Sequence, residues 1–369
     1  MRKVLTVAVT ALLLLVSAHA EDNPAPKLGF KTSGDSVYDF KTEVLLENAP
    51  DTSTPAGVVL YWSGIANNTK NYDDPPIAPE IRYDELKSKA MVEFENQLLS
   101  KALAEATSKA RNESGERESR YQSKRSAAVI DSEEKQEDGS VVIVTSQAGE
   151  SRYKNNDGEW EVSASPPTYF RYQLLKGEDG TWRIDQVERG RAPRDAKEGE
   201  KTINWDSYRN SGLEFAYEFS KSEDAELTKP ELKAGTPEEA ALSFANDLRG
   251  FTNDIDMHFF GLLCQGLSNA TEHLFTKEYI EGVHKSSDER SAKNPPKEKQ
   301  LASVEEVKEK TDTSATVVFK LPDSKASDKL VIKVVKEGES WRVNEVGTLR
   351  DAGTERESYE PKENIYRRW

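Results

Sequence analysis

The chain has 369 residues, of which 36% are hydrophobic and 32% charged, with a formal net charge of −15. That length suits two domains or three, and the acid excess repels phosphate backbones, which argues against nucleic acid as a partner. The single cysteine, Cys264, excludes an intrachain disulfide, so packing and hydrogen bonds must hold the fold.

Met1 to Ala20 has the layout of a signal peptide, with basic Arg2-Lys3, an apolar run from Val4 to Val16 and the small-x-small cleavage site Ala18-His19-Ala20. The run is too short to span a bilayer comfortably, and no later segment is apolar enough to cross one. The expected product is a secreted or periplasmic protein starting at Glu21. Removing two basic residues and no acidic one takes its charge from −15 to −17.

A polar, Pro-containing start to about Pro26 leads to a strand-like stretch from Val37 to Leu46. Thr54-Pro55 then looks like a helix entrance, with Thr as N-cap and Pro in the first turn, followed by Val58, Val59, Tyr61, Trp62 and Ile65 at helical spacing. From Glu80 to about Arg125 runs a long charged stretch. Its apolar face, Leu86, Ala90, Met91, Phe94, Leu98 and Ala102, predicts a helix that fades into solvated residues beyond Ala110. Strands are expected at 127–130, 141–145, 168–175 and 181–188, with a turn at Asn155-Asn156-Asp157-Gly158. Those acids lack the alternating ligands and terminal Glu of a calcium loop.

After a charged linker from Gly190 to Glu200, the strict alternation of Leu213, Phe215, Tyr217 and Phe219 with Glu214, Ala216 and Glu218 predicts a strand. Thr236-Pro237 repeats the Thr-Pro start, and Glu239 completes a capping box that Gly57 denies the first copy. Ile255 to Leu267 reads as a helix. Leu274-Phe275-Thr276-Lys277-Glu278-Tyr279 opens a short one with Thr276 as N-cap, and 286–299 reads as a polar loop holding Pro295-Pro296. Strands follow at 302–308, 315–321, 329–335 and 340–346, then a polar tail.

The most telling feature is an internal repeat. Tyr172 to Val187, YQLLKGEDGTWRIDQV, returns as Ile332 to Val346, IKVVKEGESWRVNEV, and Trp182 and Trp341 stand 159 positions apart. Each copy reads as a strand, a Gly-containing turn and a second strand. Each second strand breaks its alternation at Val187 or Val346, which suggests a bulge or strand end there. Burying an indole removes ~150–250 Å² from water, so both tryptophans read as core anchors.

Thr-Pro helix, second helix, short Leu-Phe-Thr-Lys-Glu-Tyr helix, then strands closing on a turn and Trp-Arg: this pattern resembles the nuclear-transport-factor-2-like superfamily. The match is clearest over Thr236–Val346 and more divergent over Thr54–Val187. The resemblance implies cone-like domains, with helices over a curved antiparallel sheet, an open end that often holds a small molecule, and an outer sheet face that often dimerises. The expected organisation is α+β: a leader at 1–20, a first cone-like domain with the long charged helix at 27–195, a second at 205–348, and a polar tail at 349–369. The two units would pair as a pseudo-dimer.

No catalytic set is legible. His258, His273 and His284 match no compact metal spacing, even with Cys264, which reads as a buried small hydrophobe. Asp254 and Asp256 read as caps near a helix start rather than as a general base. Asn67-Asn-Thr, Asn112-Glu-Ser and Asn269-Ala-Thr are glycan acceptor patterns only in a eukaryotic secretory pathway. There is no phosphate-binding glycine loop and no serine elbow. No cofactor is expected. Some relatives of this fold, such as ketosteroid isomerase and scytalone dehydratase, place Asp, His or Tyr inside the cone, but no catalytic motif of theirs aligns here. The expectation is an exported non-enzymatic module binding a small hydrophobic ligand or an envelope protein. The alternative is an isomerase, dehydratase or hydrolase using an acid inside one cone.

Overall fold

The computed structural model describes residues 27–66, 78–115, 121–191, 203–222, 226–295, 301–320, 328–362 and 365. The expected leader, the Asn67 pattern, Pro296, the linker after Arg191, Tyr366 and Trp369 lie outside the described residues. The chain is α+β, with three antiparallel sheets among the described residues.

Strand β1 (Lys27–Ser33) pairs with β2 (Lys41–Glu47) as a small two-stranded sheet. The single strand expected from Val37 is interrupted because the Ser36 hydroxyl accepts from Tyr38 N–H and winds Val37–Asp39 into a helical turn. Helices α1 (Pro55–Ala66), α2 (Ala78–Leu98) and α3 (Lys101–Gly115) follow. The first large sheet holds β3 (Tyr121–Arg125), β4 (Val129–Lys135), β5 (Val141–Lys154), β6 (Trp160–Lys176), β7 (Trp182–Arg191) and β8 (Asn204–Ser207). Its order is β3-β5-β6-β7-β8, with β4 also on β5. Next come α4 (Ser211–Lys221), α5 (Pro237–Leu242), a π-helical segment (Ser243–Leu248) that runs straight into α6 (Arg249–Thr271), and α7 (Lys277–Lys293). The second large sheet orders β9 (Ser303–Lys308), β10 (Ser314–Lys320), β11 (Lys329–Glu337), β12 (Ser340–Arg350) and β13 (Ser358–Pro361) as β13-β12-β11-β10-β9.

The two Thr-Pro starts differ for a steric reason. Thr236 and Glu239 form the full capping box, with Thr236 Oγ1 accepting from Glu239 N–H at 3.1 Å and Glu239 Oε2 accepting from Thr236 N–H at 3.0 Å. In the first copy Thr54 Oγ1 accepts from Gly57 N–H at 3.0 Å, and a Cβ on Gly57 would stand 1.6 Å from the Asp51 carbonyl oxygen. The incoming loop presses on the helix there, so no side chain fits.

The alternation break in the repeat is a bulge in both copies. Leu174 pairs with Ile184 and Gln173 with Gln186, which leaves Asp185 as the extra residue of β7. Val334 pairs with Val343 and Lys333 with Glu345, which leaves Asn344 as the extra residue of β12. A bulge adds one residue and re-aims its side chain.

Several expectations need correction. Leu213–Phe219 is helical, not a strand: Asn210 caps α4 by accepting from Leu213 N–H, and Leu213, Ala216 and Phe219 share the buried face at helical spacing. Alternation of period two and a cap of helical type compete in that stretch, and the cap with its packing surface wins. The polar loop expected from 286 is helix up to Lys293, because Ser287 is buried and donates to Glu218 at 2.6 Å. The long helix breaks at Leu99-Ser100, so Ala102 leaves the apolar face and is exposed. The stretch from 349 read as a polar tail extends β12 and adds β13, and Ile365 is buried beyond it.

Two separate cores form, and the indoles do not share one. Trp341 is buried against the second sheet, whereas Trp182 is only half-buried against the first. Neither core is built from one half of the chain alone. The second sheet's core takes in Val37, Phe40 and the α2 face Leu86, Met91, Phe94, Leu98 and Leu99 from the first half. The first sheet's core takes in Leu213, Leu274, Phe275 and Ile280 from the second half. An amphipathic face specifies burial but does not name the sheet that buries it.

Candidate functional site

The interiors offer little space for a ligand. Over the first sheet, Ile143, Tyr172, Leu174 and Ile184 have no exposed surface, and Phe170 stacks on Tyr172 with ring centroids 6.1 Å apart. Tyr172 Oη lies 3.2 Å from Ser63 Oγ, and burial pushes its phenol far above the usual range, so it stays protonated. Over the second sheet, Val317, Phe319, Leu330, Ile332 and Val343 fill the equivalent face.

A buried carboxylate, Glu214 on α4, is 3% exposed. It accepts from Arg209 Nε, and Arg290 stands 2.8 Å away, poorly aligned for a hydrogen bond but well placed as an ion pair. Nothing in the sequence pattern singled out Glu214, because its strand-like setting placed it on a solvent face.

Two adjoining hollows open near the β6–β7 turn and the start of α7. A groove of about 900 Å³ is lined by Leu175, Lys176, Arg183, His273, Phe275 and Lys277 among others. It adjoins a second hollow of about 330 Å³ lined by Tyr217, Ser268, Glu272 and His284, with Asn269, Glu272 and Ile280 common to both. The turn forming one wall is bonded to itself. Asp179 accepts from Thr181 N–H at 3.1 Å, from Thr181 Oγ1 at 2.7 Å and from Arg183 Nη2 at 2.6 Å, while Gly180 takes φ +80°. The Arg183 guanidinium and these further bonds hold the Asp179 carboxyl well below the usual carboxylate range. In the second hollow His284 stacks flat on Tyr217 with centroids 3.8 Å apart, and Asp288 accepts from Tyr217 Oη at 3.1 Å and Lys221 Nζ at 2.6 Å. The Lys221 bond keeps the Asp288 carboxyl below its ordinary value. Around these hollows Arg183 is tied to Asp179 and Lys221 to Asp288.

The sequence candidates disperse. His273 and His284 reach the two hollows, but His258 is buried beside Phe219 and Phe259. Cys264 is buried, and desolvation pushes its thiol up to about 11, which leaves it protonated at neutral pH. Asp254 and Asp256 are not caps, because α6 continues from the π-helical segment and has no free N-terminus there; Asp256 instead accepts from Tyr83 and pairs with Lys87 of α2. Asn269 lies in α6, and the Thr271 hydroxyl of its pattern donates to the Leu267 carbonyl at 2.7 Å. Among the described residues no group of three His, Cys, Asp or Glu side chains could hold a metal ion, and no helix is long and apolar enough to cross a membrane.

No protein-family model matches the chain, and no curated protein matches it. Among solved structures, an "Ntf2 like protein involved in plasmid conjugation" matches with 11% identity over 74% of this chain and 86% of that chain, at a TM-score of 0.15. So loose a superposition carries no argument.

Proposed function

We propose that the chain is an exported, non-catalytic interaction module whose two cone-like units, of the nuclear-transport-factor-2-like type, sit together as a pseudo-dimer. It works in the periplasm or outside the cell by contact with another protein. The observation that carries this reading is the full burial of one face of each large sheet: Tyr172, Leu174 and Ile184 on one and Val317, Phe319 and Ile332 on the other have no exposed surface. A cone filled this way leaves no room for a small substrate over its acid or phenol, which disfavours the isomerase or dehydratase alternative. The leader pattern at Met1–Ala20 supports export, and the excess of acid over base supports a soluble surface.

The test is a thermal-shift screen of the mature chain against a metabolite library, run beside cross-linking of the tagged protein in its native envelope. A ligand that binds the native state raises its melting point. The expected result is no metabolite shift and a discrete cross-linked protein partner. A metabolite that raises the melting point dose-dependently, and loses that effect in Tyr172→Phe, would overturn the proposal in favour of a cone pocket. Deleting Met1–Ala20 should leave the protein in the cytoplasm; unchanged export would refute the localisation.

A further inference from the structure

Each half of the chain sends an arm onto the other half's sheet, and both arms are seated by the same device. The first arm is the junction of α2 and α3. Leu99 forms a parallel bridge with Val343, Ser100 N–H donates to the Val343 carbonyl at 2.7 Å, and Ser100 Oγ donates to Asn344 Oδ1 at 2.8 Å. The second arm is the entrance to α7. Phe275 forms a parallel bridge with Ile184, Thr276 N–H donates to the Ile184 carbonyl at 2.9 Å, and Thr276 Oγ1 donates to Asp185 Oδ1 at 2.8 Å. In both cases the side chain that receives the hydroxyl is the extra residue of a bulge, Asn344 or Asp185. The same hydroxyl starts the following helix: Ser100 Oγ accepts from Leu103 N–H at 3.3 Å, and Thr276 Oγ1 accepts from Tyr279 N–H at 3.2 Å.

We infer that the two halves are obligate partners: the arm of each is a docking segment whose fitted seat is the polar bulge of the other, so the pair stays assembled without the covalent linker. The apolar seats agree. Phe275 meets Trp62 edge-on at 5.0 Å, and Phe94 meets Phe251 edge-on at 4.9 Å, both across the halves. A half that withdrew its arm would uncover a fully buried strand face on its neighbour and expose its own Leu98-Leu99 or Leu274-Phe275. Two unrelated contacts would not use the same bridge, the same amide-to-carbonyl bond and the same hydroxyl-to-bulge bond. The inference is independent of any ligand or partner for the whole molecule.

The experiment uses the full chain with a protease site inserted between Arg191 and Ile203, cleaved after folding. The cleaved fragments should co-elute at the volume of the intact chain in native buffer and separate only in denaturant. Fragments that separate in native buffer overturn the inference. The bulge seat is read in a second arm, with Thr276→Val and Ser100→Ala combined in the cleavable chain. Dissociation of the cleaved pair should speed up at least about tenfold, the effect of losing roughly 1.4 kcal/mol. An unchanged dissociation rate would show the hydroxyl-to-bulge bonds to be idle and overturn their role as the seat.

Discussion

Truncating Phe275 should weaken a sheet to which it does not belong in sequence. The ring is 3% exposed, meets Trp62 edge-on at 5.0 Å and stacks on Tyr279 at 4.7 Å. Phe275→Ala removes a buried ring whose loss costs ~3–5 kcal/mol in comparable cores, aromatic pairing included; we take about 4 kcal/mol. At about 2–4 °C per kcal/mol for chains somewhat shorter than this one, the melting temperature should fall by roughly 10 °C. The diagnostic measurement is native-state amide exchange, in which a loss of that size accelerates globally protected amides by about a thousandfold. Protection should be lost in β5–β7, the sheet of the first half. If protection fell only in β9–β12, with β5–β7 unchanged, the assignment of Phe275 to the first core would be wrong. Phe94→Ala is the mirror test: this first-half residue should loosen β10–β12.

Other substitutions test local claims. Gly57→Ala should destabilise by at least ~2 kcal/mol in a urea melt, because its Cβ would fall 1.6 Å from the Asp51 carbonyl; an unchanged midpoint would mean the loop yields freely. Glu214→Gln keeps the shape but unpairs Arg209 and Arg290 near the first core, and chemical denaturation should show a loss of a few kcal/mol. Native Cys264 should resist maleimide at pH 7.5 and react fully in denaturant; rapid native labelling would contradict its burial and raised pKa. The bonds from Lys333 and Tyr359 lower the Glu345 carboxyl pKa, so its stabilisation is complete above the unfolded value of about 4.5. That stabilisation fades as pH falls through the folded value, and Tyr359→Phe should flatten the acid limb of the stability curve; an identical limb would refute the tie.

How much of this was legible depended on whether a signal was local. The capping box at Thr236, the Thr276 cap and the strands at 141, 168 and 315 follow from residues that interact with close neighbours in sequence, and the structure has them. The bulges were visible as a slip in alternation, because the backbone pairing itself must absorb the extra residue. Leu213–Phe219 failed because its apolar residues satisfied a strand period while Asn210, one turn earlier, supplied a helix cap. The groove beside α7 was illegible, since it is made by the meeting of a turn near Asp179 and a helix start near Thr276, about a hundred positions apart.

The exchange of arms had a faint shadow in the sequence. Leu98-Leu99-Ser100-Lys101 returns as Leu274-Phe275-Thr276-Lys277, 176 positions later, whereas Trp182-Arg183-Ile184-Asp185 returns as Trp341-Arg342-Val343-Asn344 only 159 positions later. The two repeats therefore vary in spacing but keep their polar character: a hydroxyl in the arm and an amide or carboxylate at the bulge. A buried hydroxyl needs a partner, and Ser100, 1% exposed, finds none closer in sequence than its own helix start. Asp185 and Asn344 are likewise residue types disfavoured inside strands. Each oddity disappears once the arm and the bulge are paired across the halves. Physical need, read from two unlike repeats at once, points to the contact that neither repeat reveals alone.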